Sequence, residues 1–396
     1  MPRHCLPCVA LFAWMLTAPE AGCGELPAES FASFAARVAS IADSALRERE
    51  VDALVERVRA SGVPLHDDST VTFLYRGAGR RAFVAGDADG WDPRAGEMRR
   101  VGGTTLRALT WRLDGAARCE YKLVVDSSWI LDPLNALRAR GGFGENSEVR
   151  MPRYVFPAES VPRPRVRPTR LDTISFMSRK LQRRIPVIVY APGGGSVPPF
   201  PVMFVTDGGE YLELAHANVV LDNLIAGGSL GGVVAVFVDP RDGAAGANSR
   251  MTEYALNDAY VSALADELRP LIRTRYRTRG DAAGTAIIGS SMGGLIATYA
   301  VLTRPDAFGL CGALSPSYQW DGDSVIAMIR NTPGGRTKFY LATGTIHDAG
   351  ERSRRVRDLL KEKGYDVTYD EVPESHNWLN WTGRLRRLLT TFWGVR

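Results

Sequence analysis

The residues best suited to chemistry lie in a short glycine-rich segment, 289–294 (GSSMGG). An apolar run at 286–288 precedes it, and a helical pattern at 295–302 follows it. A G-x-S-x-G motif between a strand and a helix puts its serine on a turn so sharp that a Cβ atom on either glycine would collide with nearby backbone. We therefore predict Ser291 as a nucleophile, lifted above the sheet edge at the N-terminus of a helix.

A nucleophilic serine needs a base to accept its proton. Where a G-x-S-x-G motif joins a strand to a helix, a histidine later in the chain is that base. Two histidines follow Ser291, namely His347 and His376. His376 lies in a polar loop after the strand-like segment 368–372 and before a last helix, so we predict it as the base. His347 is the weaker candidate because it directly precedes a better-placed carboxylate.

An acidic side chain on the loop after the preceding strand should orient the imidazole and stabilise its protonated form. Asp348 follows the apolar run 339–342 and the turn 343–345, and it is the predicted acid. Glu351 lies close behind it in the chain and remains the alternative. This set of side chains needs no metal ion and no organic cofactor.

Two backbone N–H groups are expected to hold the oxyanion that forms when the serine attacks an ester. One belongs to Met292, directly after the nucleophile. The other should come from the loop after an early strand. The run 202–205 leads into Asp207-Gly208-Gly209, whose glycines allow the backbone to approach a ligand closely. We assign this second donor to Gly209, with an ordinary tight turn as the alternative.

The segments around these residues predict an α/β fold. Beyond residue 168, helical segments alternate with continuous apolar runs, which lie at 186–190, 202–205, 233–238, 286–288 and 339–342. Strands of this kind are buried on both faces, which is typical of a mostly parallel sheet with helices on both sides. Residues 169–396 are therefore predicted to form an α/β-hydrolase domain.

The N-terminal part of the chain has a different organisation. Apolar residues recur at helical spacing, which predicts a helical segment over 24–64. Short alternating strands separated by Gly- and Asp-containing turns follow over 65–151 and predict a small antiparallel sandwich. Prolines alternate with arginine and valine at 152–168, a composition that favours an extended linker.

The first 23 residues have the layout of a signal peptide, with a basic start, an apolar run at 5–16 and a break at Pro19. A periplasmic or secreted protein is the expectation. The segment 21–23 (AGC) is similar to a lipoprotein cleavage box, but Glu20 stands where an aliphatic residue is usual. The cleavage site and lipidation therefore remain open.

Composition excludes several classes of protein. With 45% hydrophobic and 23% charged residues the chain is typical of a globular protein, and its apolar stretches are too short for an integral membrane span. The net charge of +5 comes from scattered arginines, which favours an ordinary basic surface over a nucleic-acid site. Cys119 and Cys311 lie in apolar segments and are predicted to be reduced core residues.

The C-terminal residues resemble the enterochelin esterase family and the wider esterase-D-like group of α/β-hydrolases. The resemblance rests on these segments: 207–209 (DGG), 250–254 (RMTEY), 267–272 (ELRPLI), 289–294 (GSSMGG), 304–308 (RPDAF), 376–378 (HNW) and Trp381. In such enzymes the Arg-x-x-Glu-Tyr segment borders the active-site cleft. The resemblance implies that Arg250 contacts an anionic substrate group, with a buried ion pair to Glu253 as the alternative. Tyr211 and Trp378 complete the expected substrate-binding set.

Residues 65–151 resemble the early-set immunoglobulin-like module found ahead of these esterases, which also occurs as a glycogen-binding module. The resemblance rests on these segments: 86–91 (GDADGW), 121–122 (YK), Trp129 and 132–135 (DPLN). Trp91, Lys122 and Trp129 match positions that grip sugar in the carbohydrate-binding relatives, where indole faces stack on pyranose rings. A substrate-shaping role over the active site is favoured over glycan contact.

These patterns predict an exported serine carboxylic ester hydrolase that works through an acyl-enzyme intermediate. Its substrate is expected to be a small-molecule or glycan-linked ester. A tricatecholate trilactone fits the family, and a polysaccharide-linked acetyl or feruloyl ester fits an exported enzyme as well. Two further functions stay open: acyl transfer to an acceptor other than water, and carbohydrate binding by a chain whose hydrolase site has decayed.

Overall fold

The computed structural model describes residues 29–193, 197–242 and 247–395. The predicted signal peptide lies outside these ranges. Of the helices within them, none is both long enough and apolar enough to cross a membrane. The two cysteines within them, Cys119 and Cys311, are buried free thiols, as predicted.

The described chain opens with two helices, α1 (Phe31–Ser40) and α2 (Ser44–Ser61). The helical spacing of the sequence is interrupted between them because Ile41 is extended and Asp43 caps α2. The Asp43 side chain accepts hydrogen bonds from two backbone N–H groups in the first turn of α2, which would otherwise lack partners. Gly62, in the left-handed conformation, ends α2.

Residues 65–151 form an all-β region, as predicted, which we call the β-region. Its strands are β1 (Leu65–His66), β2 (Thr70–Tyr75), β3 (Ala82–Gly86), β4 (Gly96–Glu97), β5 (Arg99–Arg100), β6 (Arg107–Arg112), β7 (Arg118–Val125), β8 (Ser128–Ile130), β9 (Arg138–Gly141) and β10 (Gly144–Arg150). All are paired antiparallel, in two sheets of order β1-β2-β6-β5 and β4-β3-β7-β10-β9, with β8 on β7. Phe73 and Tyr121, one from each sheet, meet in a shared apolar core.

The larger part of the chain is built on an eight-stranded sheet within the described ranges, in the order β11-β12-β14-β13-β17-β18-β19-β20. Its strands, with the separate ribbon β15-β16, are β11 (Leu171–Ser178), β12 (Arg183–Tyr190), β13 (Val202–Val205), β14 (Val234–Val238), β15 (Arg241–Asp242), β16 (Ala247–Asn248), β17 (Thr285–Ser290), β18 (Leu310–Leu314), β19 (Lys338–Gly344) and β20 (Asp366–Val372). From β14 to β20 neighbouring strands are parallel, whereas β11 and β12 are antiparallel. The mostly parallel sheet of the prediction is thereby confirmed.

Helices cover both faces of this sheet. They are α3 (Gly208–Glu213), α4 (Ala217–Ala226), α5 (Arg250–Glu253), α6 (Asp258–Ser262), α7 (Arg269–Tyr276), α8 (Met292–Thr303), α9 (Ser324–Asn331), α10 (Gly350–Glu362) and α11 (Trp378–Trp393). On β17, Ile287 belongs to the core cluster that contains α8, and its neighbour Ile288 belongs to the cluster that contains α4 and α11. Burial on both faces explains why these strands read as continuous apolar runs.

The parallel strands bring their following loops to one edge of the sheet. The chain leaves β13, β17, β18, β19 and β20 at their carboxyl ends, and these ends share an edge because the strands run in the same direction. In open α/β sheets ligands bind outside the carboxyl ends of the strands. The candidate site is therefore expected at this edge.

Candidate active site

Ser291 lies on the turn between β17 and α8. Its backbone has φ 57° and ψ −123°, a strained conformation for a residue that carries a side chain. The turn requires two glycines. A Cβ atom on Gly289 would lie 2.3 Å from the carbonyl oxygen of Gly293, and one on Gly293 would lie 2.3 Å from Oγ1 of Thr206. The turn thus has the geometry that the G-x-S-x-G motif predicts.

His376 and Asp348 form a hydrogen-bonded pair. Nδ1 of His376 lies 2.8 Å from Oδ1 of Asp348. The Asp348 side chain is fully buried, whereas 39% of the His376 side chain is exposed. With a buried carboxylate at Nδ1, an imidazole can act as a base through its other ring nitrogen, Nε2.

Asp348 is fixed by further donors. Its Oδ2 accepts hydrogen bonds from Oγ of Ser315 and from the backbone N–H of Gly344, both at 2.6 Å. Burial alone would raise the pKa of Asp348, but the hydrogen bond and charge of His376, with these donors, hold the pKa below its usual range. Glu351, the alternative acid, lies in the first turn of α10 and makes no hydrogen bond to His376 among the described residues.

The imidazole is also held by packing. The ring of Trp381 meets the ring of His376 edge to face, with centroids 5.1 Å apart. The indole N–H of Trp381 donates to Oγ of Ser315 at 3.0 Å, and that hydroxyl is the one that donates to Asp348. The imidazole of His376, the carboxylate of Asp348 and their supports thus form one connected unit, which fixes the direction of the imidazole.

Ser291 and His376 open into one cavity of about 540 Å³. The cavity is lined by Ser291, Ser315, Pro316, Ser317, Gln319, His347, Asp348, Ala349, Glu351, Arg352 and His376. Within the described residues, Oγ of Ser291 has one hydrogen-bond partner, Oγ of Ser317 at 3.2 Å, and does not bond to His376. The lining is mostly polar, which suits a hydrophilic substrate.

The two predicted oxyanion donors differ in their availability. The N–H of Met292 begins α8 and, among the residues that the structure describes, donates to no protein acceptor. The N–H of Gly209 donates to Oδ2 of Asp239 at 2.8 Å. The Gly209 assignment is therefore corrected, because an anionic carboxylate is a stronger acceptor than an ester oxygen and already occupies this donor.

Arg250 and Glu253 are not paired with each other, contrary to the alternative considered from the sequence. Arg250 makes two hydrogen bonds to Asp207, at 2.8 and 3.0 Å. Glu253 makes two to Arg183, at 2.5 and 2.7 Å. Neither residue is among the described residues that line the cavity of Ser291. Asp207 holds Nε and Nη2 of Arg250 outside the lining of this cavity, and the substrate contact of Arg250 stays a prediction.

Tyr211 and Trp378 belong to the core rather than to the cavity wall. Tyr211 is 1% exposed, and its hydroxyl is hydrogen-bonded to Oγ of Ser290. Trp378 is 8% exposed and meets the ring of Tyr211 edge to face at 5.2 Å. Their predicted role in substrate binding is therefore wrong. The same contact explains Ser290, whose side chain points into the core beneath the turn.

Several cavity residues escaped the sequence reasoning. Ser315, Ser317 and Gln319 follow β18, which is the strand next to β17. Their types are common in loops, so composition gave no signal. The available signal was position, since each follows the carboxyl end of a parallel strand next to the nucleophile's strand.

The fold and the site define a class of protein, an α/β-hydrolase with serine, aspartate and histidine in that chain order. Residues 178–392, more than half of the chain, match a family model described as "Putative esterase". The protein belongs to this esterase family, and it is a serine carboxylic ester hydrolase.

Relatives by sequence include iron(III) enterobactin esterases. The enzyme of Escherichia coli (strain K12) is 26% identical over 332 residues, which covers 75% of this chain and 81% of that one. The uncharacterized protein YjcH of Bacillus subtilis (strain 168) is 24% identical over 228 residues, covering 54% of this chain and 95% of that one. The first match is longer than the esterase part of this chain, and the second is of about the same length as that part.

Solved structures show the same fold. The enterobactin esterase of Shigella flexneri, crystallised in the presence of enterobactin, superposes with a TM-score of 0.70 at 22% identity, covering 83% of this chain and 94% of that chain. A ferulic acid esterase of the anaerobic fungus Anaeromyces mucronatus superposes with a TM-score of 0.51 at 17% identity, covering 59% of this chain and 94% of that chain.

Proposed function

We propose that Ser291 is the nucleophile of this esterase, His376 its general base and Asp348 the acid that orients the base. The observation that carries the proposal is the 2.8 Å bond between Asp348 and His376 in the cavity that also contains the strained Ser291. A base backed by a buried carboxylate can activate a serine hydroxyl, and the strained turn presents that hydroxyl in the cavity.

The steps of the reaction follow from these positions. The Ser291 hydroxyl turns from Ser317 towards Nε2 of His376, which accepts its proton as Oγ attacks the ester carbonyl carbon. Catalytic hydrogen bonds of unliganded sites often tighten only with substrate bound. The oxyanion of the tetrahedral adduct faces the N–H of Met292. Collapse releases the alcohol, protonated by His376, and leaves an acyl-serine, which water hydrolyses with His376 again as base.

For the substrate, we propose an ester of the kind named for the enterobactin esterases, a hydrophilic siderophore-type ester. The Escherichia coli relative aligns over 75% of this chain, so the likeness includes at least part of the β-region. The xylanase/feruloyl esterase of Xylanibacter ruminicola aligns over 37% of this chain. The polar lining of the cavity fits a substrate rich in hydrogen-bonding groups.

We also propose that the β-region is an immunoglobulin-like domain that contacts glycan. In this proposal the linker 152–168 joins it to an esterase domain at 169–396. The rings of Trp91 and Trp129 stack with centroids 6.4 Å apart, and Trp129 is 45% exposed. The exposed ring of Trp129, stacked on Trp91, supports stacking on a sugar ring, and Lys122, on the neighbouring strand β7, is the third residue of this proposal. Loss of xylan or glycogen affinity in Trp129→Ala would support this proposal, and no affinity in the wild type would contradict it.

We also propose that the protein acts in the periplasm or outside the cell. The support is the sequence of residues 1–23, whose basic start, apolar run and small residues match a signal peptide. Fractionation of cells that produce the full chain tests it. A mature form in the periplasm or medium, shortened at its N-terminus, is the expected result, and a full-length cytoplasmic form would contradict it.

The catalytic proposal is tested with Ser291→Ala and the matched control Ser290→Ala. Hydrolysis of p-nitrophenyl butyrate should fall by at least about 10³-fold in Ser291→Ala, because the variant lacks the proposed nucleophile. Ser290→Ala should keep its activity, since that hydroxyl points into the core. Equal rates for Ser291→Ala and the wild type would reject the assignment.

The substrate proposal needs its own comparison with the same purified protein. Iron-free and ferric tricatecholate trilactone, acetylated xylan and feruloylated xylan are assayed side by side by product release. A higher kcat/KM for the trilactone is the expected result, and a higher value for either xylan ester would contradict it.

A further inference from the structure

We propose that the β-region positions the catalytic histidine. In this inference, which rests on the proposed function, Arg118 and Asp87 of the β-region hold Asn377, and Asn377 fixes the loop that carries His376. Arg118, Asp87 and Asn377 are positioning residues, since they act on the base and not on the substrate.

The β-region contains a buried cation, Arg118. Arg118 is 0% exposed and is paired within the β-region with Glu120 at 2.7 Å and Glu148 at 3.1 Å. A buried charge is tolerated only where its partners are held in good geometry. The Nη1 of Arg118 also donates to Oδ1 of Asn377 at 2.9 Å, which lies in the esterase part of the chain. This contact therefore has a fixed donor at its β-region end.

The side-chain amide of Asn377 is held on both sides. Its Oδ1 accepts from Arg118 and from the backbone N–H of Asn380, so that it also caps α11. Its Nδ2 donates to Oδ2 of Asp87 at 3.1 Å. Because the amide oxygen accepts and the amide nitrogen donates, only one orientation satisfies both neighbours.

Asp87 is itself fixed. Its Oδ1 accepts the indole N–H of Trp91 at 3.0 Å, and its Oδ2 accepts the backbone N–H of Glu120 at 2.7 Å. The carboxylate is 3% exposed. Asn377 thus meets two rigid groups of the β-region, one cationic and one anionic, rather than a mobile surface.

The β-region contacts both catalytic loops, the one before His376 and the one before Asp348. The backbone N–H of Arg118 donates to the carbonyl oxygen of Pro373 at 3.2 Å, on the loop before His376. Ile346 packs against the apolar core of the β-region, and a Cβ atom on Gly90 would lie 3.4 Å from the ring of His347. These two residues directly precede Asp348. Contacts therefore flank both members of the Asp348–His376 pair.

A misplacement of about 1 Å can lower a catalytic rate by up to about 10²-fold even when the altered residue is remote from the reacting atoms. The variant that isolates the effect is Asn377→Ser. Serine still caps α11, since it is among the favoured N-cap residues, but its side chain is too short to reach Arg118 and Asp87 together. Helix α11 and the buried ion pairs of Arg118 are left in place.

We expect Asn377→Ser to lower kcat for p-nitrophenyl butyrate by about 10-fold to 100-fold and to change KM by less than about threefold. The rate at which a fluorophosphonate labels Ser291 should fall in the same proportion, because labelling also needs the base. A purely structural role would instead lower the folded fraction, which circular dichroism and thermal unfolding measure, and leave the kcat of the folded protein unchanged.

The matched control is Arg140→Ala. The exposed ion pair of Arg140 with Glu213, at 3.1 Å, joins the same two parts of the chain but contacts neither catalytic loop. Exposed pairs contribute little, so kcat should equal that of the wild type. If Asn377→Ser does not fold, Asn377→Asp, which keeps the cap and the contact with Arg118 but sets a second carboxylate against Asp87, should lower kcat of the folded protein relative to the wild type.

Two results can be told apart. A folded Asn377→Ser with wild-type kcat and labelling rate, or an equal loss in Arg140→Ala, would overturn the positioning role while leaving the proposed function intact. A wild-type protein that neither hydrolyses the ester nor is labelled at Ser291 would count against the proposed function itself.

Discussion

At the scale of single residues, the structure separates two carboxylates that the sequence leaves as alternatives. Asp348 reaches Nδ1 of His376 and is buried, with further donors from Ser315 and Gly344. Glu351 lies on the exposed first turn of α10. Only a carboxylate removed from water and fixed in direction can set the tautomer of an imidazole.

Asp348→Asn should therefore be severe and Glu351→Gln mild. The amide keeps the shape of Asp348 but presents a neutral group to the imidazole, so kcat should fall by roughly 10³-fold to 10⁴-fold. The kcat of Glu351→Gln should fall by less than about tenfold. Steady-state kinetics on both variants decide the matter, and the reverse order of the two losses would transfer the role to Glu351.

At the scale of elements, the turn between β17 and α8 depends on close approach of backbone. A Cβ atom on Gly293 would lie 2.3 Å from Oγ1 of Thr206 and 3.2 Å from Oδ2 of Asp207, two residues at the end of β13. The nucleophile's turn and the neighbouring strand must therefore pack without a side chain between them. By contrast, a Cβ atom on Gly383 in α11 would have open space within 4 Å.

This difference gives a prediction with an internal control. Gly293→Ala should lower the free energy of unfolding by about 1–3 kcal/mol, because Thr206 and the turn must move apart, and it should reduce kcat/KM. Gly383→Ala should raise the free energy of unfolding by up to about 1 kcal/mol and leave kcat/KM unchanged. Urea unfolding and ester hydrolysis measure both. If Gly293→Ala changed the free energy of unfolding and kcat/KM no more than Gly383→Ala does, the turn would tolerate a side chain.

At the scale of the whole molecule, much of the candidate site could be predicted because each of its residues follows a strand. Ser291, Asp348 and His376 come after apolar or strand-like segments in a fixed chain order, so local sequence carried the signal. The failures depend on tertiary partners. Gly209 meets Asp239, and Tyr211 meets Trp378, through contacts between distant segments that no local pattern records.

The same reasoning applies to the two parts of the chain. Short alternating strands predict the β-region, and continuous apolar runs predict the parallel sheet. The sequence pattern did not reveal that Arg118, an arginine at the start of a strand, is fully buried and reaches Asn377. A charged residue is normally predicted to be exposed, and only the assembled interface supplies the partners that allow its burial.

The most direct measurement of the central claim is the site at which a fluorophosphonate attaches. Treated with the reagent, the folded protein should gain one adduct per chain, and peptide mapping should place it on Ser291 as its activity disappears. The mapping is decisive because Oγ of Ser317 lies only 3.2 Å from Oγ of Ser291. An adduct on Ser317, or a protein that stays unlabelled while it hydrolyses esters, would contradict the account.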